Sequence, residues 1–375
     1  MKTTPFLLRL MMALLLLLVS VGCSEGDEEP TINGTADFEA YLEDQMEDQN
    51  IPALAVLIFK DNTILYEKYA GKSNIEQNLA LESDHLFLLA SVSKVVTGSA
   101  LLLLHEAGRF ALDDPINDYL PFAVRVPGTS NDITFRMLLT HTSGIADGSA
   151  LDGQYYYGED SPVELSFFLE NYLVPGGRFY NARENFHDFE PGTDHEYSNI
   201  GSALIGVLVE EISGLDFNTF CKQNIFSPLG MQETFWRLDE IRQTIATPYD
   251  EDNRGRLKAI TQYTFTDYPN GGLRSTARDM FKFWSALMNG RLLSPNMVNA
   301  MFSPQIPTLN SEVGLHAFLM NASNNLWGHD GGEQGAATIV AFNPTTKVGA
   351  VILANQGEAD LDNMLVQAYR LGLTL

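Results

Sequence analysis

Cysteine is nearly missing from this chain: Cys23 and Cys221 are the only two in 375 residues. Cys221 falls in the helix-like stretch 217–222, where a buried structural thiol is expected rather than a catalytic one. Positive charge is also scarce, with 23 Lys and Arg against 48 Asp and Glu, a formal net charge of −25. No basic cluster offsets it, so nucleic acid is excluded as a partner, because phosphate binding needs grouped Lys and Arg. Long apolar runs are few. The run 10–19 is too short for a permanent membrane span. The run 92–107 is bounded by Lys94 and Glu106. Zinc-binding spacing such as His-Glu-x-x-His is absent, and His187, Asp188, Asp194 and His195 do not replace it. No cofactor or metal is implied, and no internal repeat is visible.

What is present begins at the N-terminus. Lys2 and Arg9 precede the apolar run, and Gly22-Cys23 closes it. This resembles a bacterial lipoprotein signal, which implies a signal peptide over 1–22 and lipidation of Cys23. The position three before the cysteine is Ser20 rather than Leu or Val, and the rival reading is a plain secretory signal. Residues 23–34 follow as an acidic tether. The expectation is an exported protein held by a lipid anchor at Cys23, on the periplasmic face of a membrane or at the cell surface. Cys221 then has no disulfide partner, even in an oxidising compartment.

The folded part is expected over 35–375, with ordinary globular composition at 45% hydrophobic residues. Phe38, Tyr41, Leu42 and Met46 at helical spacing predict a helix over 36–49. Residues 52–59 and 64–69, joined at Asp61-Asn62, predict a β-hairpin. Residues 92–107 read as a buried helix ending at Gly108. A short helix is expected from Asp113-Asp114-Pro115. Further helices are expected over 198–212, 277–288 and 360–371, and strands over 336–342 and 348–355. Residues 150–195 show no period and are expected to be a long functional loop. Strands at both ends and a helical middle imply an α/β (α+β) fold with one sheet built from distant segments. The sheet lobe would span about 35–90 and 271–375 and the helical lobe about 91–270, with a site in the cleft.

The chemistry starts at Ser91-Val92-Ser93-Lys94. A serine three residues before a lysine on a helical turn puts hydroxyl and amine on one face, a pairing that activates a nucleophile. Tyr197-Ser198-Asn199 and His329-Asp330-Gly331 follow in order. With the segments 86–94, 133–144, 226–231 and 271–279, these motifs resemble the serine β-lactamase and penicillin-binding-protein superfamily. The similar branch holds class C β-lactamases, D-Ala-D-Ala carboxypeptidases, D-aminopeptidases and esterases. The resemblance runs from about residue 35 to the C-terminus. It implies a β-lactamase-like fold, with Ser91 forming an acyl-enzyme. Lys94 and Tyr197 would be its catalytic partners, with Tyr197 as general-base candidate. Asn199, His329, Asp330 and Gly331 would bind substrate, and the N–H groups of Ser91 and Gly332 would form an oxyanion hole. Tyr268-Pro269-Asn270 also spells Tyr-x-Asn but lies in the family's structural glycine segment, and His141 reads as a buried structural histidine.

The third motif departs from Lys-Thr-Gly. His329 replaces the lysine, and Asp330 stands where a β-lactamase has a carboxylate-binding hydroxyl. Two like charges about 4 Å apart at an effective dielectric near 20 repel by about 4 kcal/mol. An ionised Asp330 facing the cleft, unless paired with Arg274, would reject β-lactams and peptides ending in D-Ala-D-Ala. The expected function is therefore a serine hydrolase of small esters, amides or peptides, an esterase or D-amino-acid-type peptidase rather than a β-lactamase. The rivals are a β-lactamase or carboxypeptidase, a non-catalytic lipoprotein binding cell-wall fragments, and a metal-dependent hydrolase.

Overall fold

Seven strands make one antiparallel sheet, and its centre is where the two halves of the chain meet. The computed structural model describes residues 32–375, so Cys23 and the rest of 1–31 lie outside the described residues. After helix α1 (Thr35–Asp48) come β1 (Ala53–Lys60), β2 (Thr63–Asn74) and the short β3 (Leu79–Ala80). Much later come β4 (Phe318–Asn321), β5 (Leu326–Glu333), β6 (Ala336–Phe342) and β7 (Val348–Ala354). The order is β4-β5-β6-β7-β1-β2-β3, and Leu54 lies opposite Ala354 at the seam.

Both faces of this sheet are covered, which is why its central strands read as unbroken apolar runs. Leu54, Val56, Ile58, Ile339 and Ile352 pack with Phe38 and Leu42 of α1 and with Met364 and Leu365. The last two belong to a C-terminal helix, Asp362–Gly372. Ala55, Leu57, Phe59, Val340 and Leu353 face the helical lobe and join its core. In that lobe α2 (Ser93–Glu106) is buried along almost its whole length. It packs against the helix Asn199–Ser213.

Two expectations need correction. Residues 150–195 are not a featureless loop: they hold a strand, Tyr155–Tyr157, and a helix, Leu165–Leu173. The helix buries Leu165, Phe168, Leu169, Tyr172 and Leu173, a helical period that nearby Gly, Tyr and Asp residues obscured. The helix expected at Asp113-Asp114-Pro115 is only a 3-10 turn, Ile116–Asp118. Cys221 is free and buried as expected, and burial pushes its thiol pKa up.

Candidate active site

Ser91 sits on a 3-10 turn, Ala90–Val92, immediately before α2 rather than within it. Ala90 has a left-handed φ of 46°, so the chain turns sharply into Ser91. The Thr338 hydroxyl donates to the Leu89 carbonyl at 2.7 Å and ties this turn to β6. Ser93 plays a different part: its hydroxyl accepts the Leu273 N–H at 3.2 Å.

Lys94, one turn on, is fully buried. Its Nζ lies 3.0 Å from Ser91 Oγ, 2.7 Å from Asn199 Oδ1 and 2.8 Å from the Asn270 carbonyl. Burial lowers its pKa to about 7, against the opposing pull of Asp147, Asp267, Glu333 and Asp330. A neutral amine has two hydrogens. Given to Asn199 and Asn270, they leave the lone pair facing the Ser91 hydroxyl. The Tyr-x-Asn look-alike at 268–270 thus touches the site, through a main-chain carbonyl.

Tyr197 precedes a helix N-terminus, with Ser198 as N-cap accepting the Gly201 N–H at 2.8 Å. Tyr197 is 37% exposed as a residue. Burial raises the pKa of its hydroxyl far above the usual phenol value, against the opposing influence of Ser91. Tyr197 is therefore a neutral phenol at physiological pH, while Lys94 is the group that titrates there.

Asn199 is aimed by a residue that the sequence reading missed. Asp147 accepts from Asn199 N and Nδ2, both at 2.9 Å, and from Ile200 N at 3.0 Å. The carboxylate caps the helix and turns Asn199 Oδ1 toward Lys94. Asp147→Ala is expected to cost about 1 kcal/mol of stability and to lower kcat by freeing the Asn199 side chain. Urea titration and steady-state kinetics check both effects. An unchanged kcat would refute the aiming role.

The third motif lies on β5. His329 is 2% exposed, and its Nδ1 donates to the Asp330 carbonyl at 2.6 Å. Its Nε2 is buried with no protein partner among the described residues. Gly331 does not line the cleft. A Cβ there would meet the Leu89 carbonyl at 2.4 Å and Ser91 N at 3.0 Å, so this glycine lets β5 approach the Ser91 turn. Gly332, which would donate its N–H, has open space around it. Asp330 is paired with Ile339, so its Cβ leaves the strand on the face away from Ser91, and its side chain is 66% exposed. The neighbouring His329 ring holds its carboxyl below the usual range. Arg274 does not pair with it; that buried guanidinium donates to the Gly272 and Tyr263 carbonyls. Asp330 therefore sits at the rim of the cleft.

Ser91 stands between two cavities. One, of about 380 Å³, is lined by Ser91, Tyr197, Phe318, His329, Asp330 and Gly332. The other, about 100 Å³, includes Ser91, Tyr155, Asn199, Asp267, Asn270 and Glu333 in its wall. Burial raises Asp267 to about 7 and Glu333 above the usual carboxylate range. Asn270 Nδ2 donates to Asp267 at 2.6 Å, and Tyr155 donates to Glu333 at 3.0 Å. Neither acid was singled out from the sequence. Among the described residues, no three His, Cys, Asp or Glu side chains are grouped to hold a metal ion.

The fold and this arrangement define a β-lactamase-like protein. Residues 38–372 match the Beta-lactamase family, and the chain belongs to it, a family of serine hydrolases. Protein flp of Staphylococcus aureus (strain COL) is 22% identical over 327 residues, 85% of this chain and 62% of that protein. The chain thus spans about three fifths of that relative's length. The crystal structure of a penicillin binding protein from Bacillus halodurans superposes with a TM-score of 0.72 at 26% identity, covering 87% of this chain and 98% of that one. The D-amino acid amidase from Ochrobactrum anthropi SV3, complexed with D-phenylalanine, shares the fold with a TM-score of 0.71 at 22% identity, over 90% of this chain and 99% of that one.

Proposed function

We propose that this protein hydrolyses small esters or amides through an acyl-enzyme at Ser91, and that its substrates carry an ammonium group. The observation that carries the reading is Lys94, buried and lowered to about 7, within 3.0 Å of Ser91 Oγ. Lys94 takes the Ser91 proton as Oγ attacks the carbonyl carbon. The N–H groups of Ser91 and Gly332 receive the developing oxyanion. The proton then reaches the leaving oxygen or nitrogen through the Tyr197 hydroxyl, and water releases the acyl group by the reverse path. The ammonium preference rests on the small cavity with Asp267 and Glu333 beside the nucleophile. An esterase or D-amino-acid-type amidase fits this acidic cavity better than a β-lactamase or carboxypeptidase, because a bound ammonium holds both acids ionised against burial, whereas a substrate carboxylate does not. We also propose export and a lipid anchor at Cys23, supported by the N-terminal pattern alone.

The test compares p-nitrophenyl D-alaninate with its N-acetyl form and with nitrocefin. The free-amine ester should be favoured at least about tenfold in kcat/KM, equivalent to about 1.4 kcal/mol, and intact mass should reveal an acyl adduct. Equal rates for the two esters would refute the ammonium preference. Rapid nitrocefin turnover would restore the β-lactamase reading. Tight binding without an adduct would identify a non-catalytic binder.

A further inference from the structure

His141 is one of the most constrained side chains near the site, and the chemistry above does not use it. It is 1% exposed and adopts a left-handed φ of 54°, a backbone conformation that favours Gly and Asn. Its ring stacks on Tyr197, with centroids 4.4 Å apart and planes 25° apart. Its carbonyl accepts the Glu196 N–H at 2.9 Å, and its Nδ1 accepts the Ser198 N–H at 3.1 Å. Those N–H groups belong to the residues immediately before and after Tyr197.

We propose that His141 is a positioning residue for Tyr197, gripping the phenol through its ring and through the N–H groups of the residues before and after it. The grip continues inward. His316 stacks on the other flank of the cluster, with its centroid 5.2 Å from that of His141, and its Nδ1 donates to the Lys94 carbonyl at 3.0 Å. Tyr197, His141, His316 and the main chain of Lys94 therefore form one connected stack. Phe318 flanks it from β4, 5.8 Å from His141.

The grip requires a particular tautomer. Because Nδ1 accepts, the ring proton sits on Nε2, and protonating Nδ1 would break the bond to Ser198. Burial keeps the ring neutral, and the groups facing it, His316, Lys94, His329 and His195, oppose a further positive charge. A hinge at this position would displace the Tyr197 hydroxyl, and a misplacement of about 1 Å in a reacting group costs about 100-fold in rate.

Two variants separate the contacts. His141→Phe keeps a ring but loses the acceptor. His141→Asn tolerates the left-handed backbone and keeps an amide oxygen but loses the ring. Each is compared with the wild type for the rate of fluorophosphonate labelling and for the ¹³Cζ resonance of Tyr197, assigned with Tyr197→Phe. The inference rests on the serine-hydrolase reading in its rate arm alone. Labelling should slow about 10- to 100-fold in both variants, with the Tyr197 resonance shifted and KM for the ester unchanged. A folded variant that labels within about twofold of wild type and leaves the resonance in place overturns the proposal. If wild type takes no label at Ser91, the hydrolase reading falls, and the resonance still decides the grip. The wild-type protein gives a check that needs no variant. ¹⁵N spectra should show Nδ1 of His141 unprotonated at neutral pH, and a protonated Nδ1 overturns the proposal.

Discussion

Ser91→Ala should abolish fluorophosphonate labelling and cut ester turnover by at least about four orders of magnitude, as loss of a serine nucleophile does elsewhere. The variant should nevertheless fold. Ser91 contributes one hydrogen-bond partner to Lys94, whose two acceptors, Asn199 and Asn270, remain. Residual activity should come from the oxyanion donors alone. Labelling of the variant at the wild-type rate would move the nucleophile elsewhere, and Ser93 is a poor substitute because its hydroxyl is occupied by Leu273. A circular-dichroism melt alongside the labelling assay separates lost chemistry from lost structure.

Lys94→Met is expected to lower kcat/KM about 1,000-fold, the middle of the range for a lost general base. The pH profile tests the same point without a mutation. A base whose pKa is about 7 is neutral above that value. The kcat/KM for an uncharged ester should therefore climb as pH rises toward 7 and level off beyond it. A flat profile across neutrality would contradict Lys94 as the base. Stability carries the opposite signature. An unfolded lysine titrates near 10.4, so between about 7 and that value the unfolded chain binds more protons and stability rises with pH. The folded state carries the full desolvation penalty of the ammonium below 7. Asp267 works on the other side: its folded pKa is raised to about 7, so the stability it supports falls as pH climbs from its unfolded value toward 7. Together these two groups contribute a minimum near neutral pH. Lys94→Met removes the lysine share, so the rise of the urea midpoint above about pH 7 should be smaller than in the wild type.

The parts of this site legible in the sequence were those whose chemistry fixes a local spacing. Ser91 and Lys94 meet because three residues make one helical turn, and Tyr197 and Asn199 flank a helix start marked by Ser198. The α1 helix, the β1–β2 hairpin and the strands β6 and β7 were legible for a related reason, since each carries its own period or turn. Asp147, Asp267 and Glu333 were not legible. Each is an unremarkable acid in its own segment and gains meaning from a neighbour far along the chain: Asp147 from Asn199, and Asp267 and Glu333 from Lys94. Asp330 shows the converse. Its identity suggested a charge facing substrate, but the alternation of β5 sends its Cβ to the opposite face, which only the register with Ile339 reveals. Gly331 was read as a substrate contact, and its absent side chain is instead a clearance for the Leu89 carbonyl.

The seam between Leu54 and Ala354 also sets an order of events. Ser91 and Lys94 leave the ribosome long before β5, β6 and β7, and β7 occupies the middle of the sheet rather than its rim. Pairings this remote in sequence close slowly, because a long loop must be ordered before any contact rewards it. Until they close, Gly332 is not beside Ser91 and the Thr338 tie on the Ser91 turn is unmade. On the proposed reading, the growing chain carries Ser91 in an unarmed form, and hydrolytic competence arrives only when β5, β6 and β7 join the sheet.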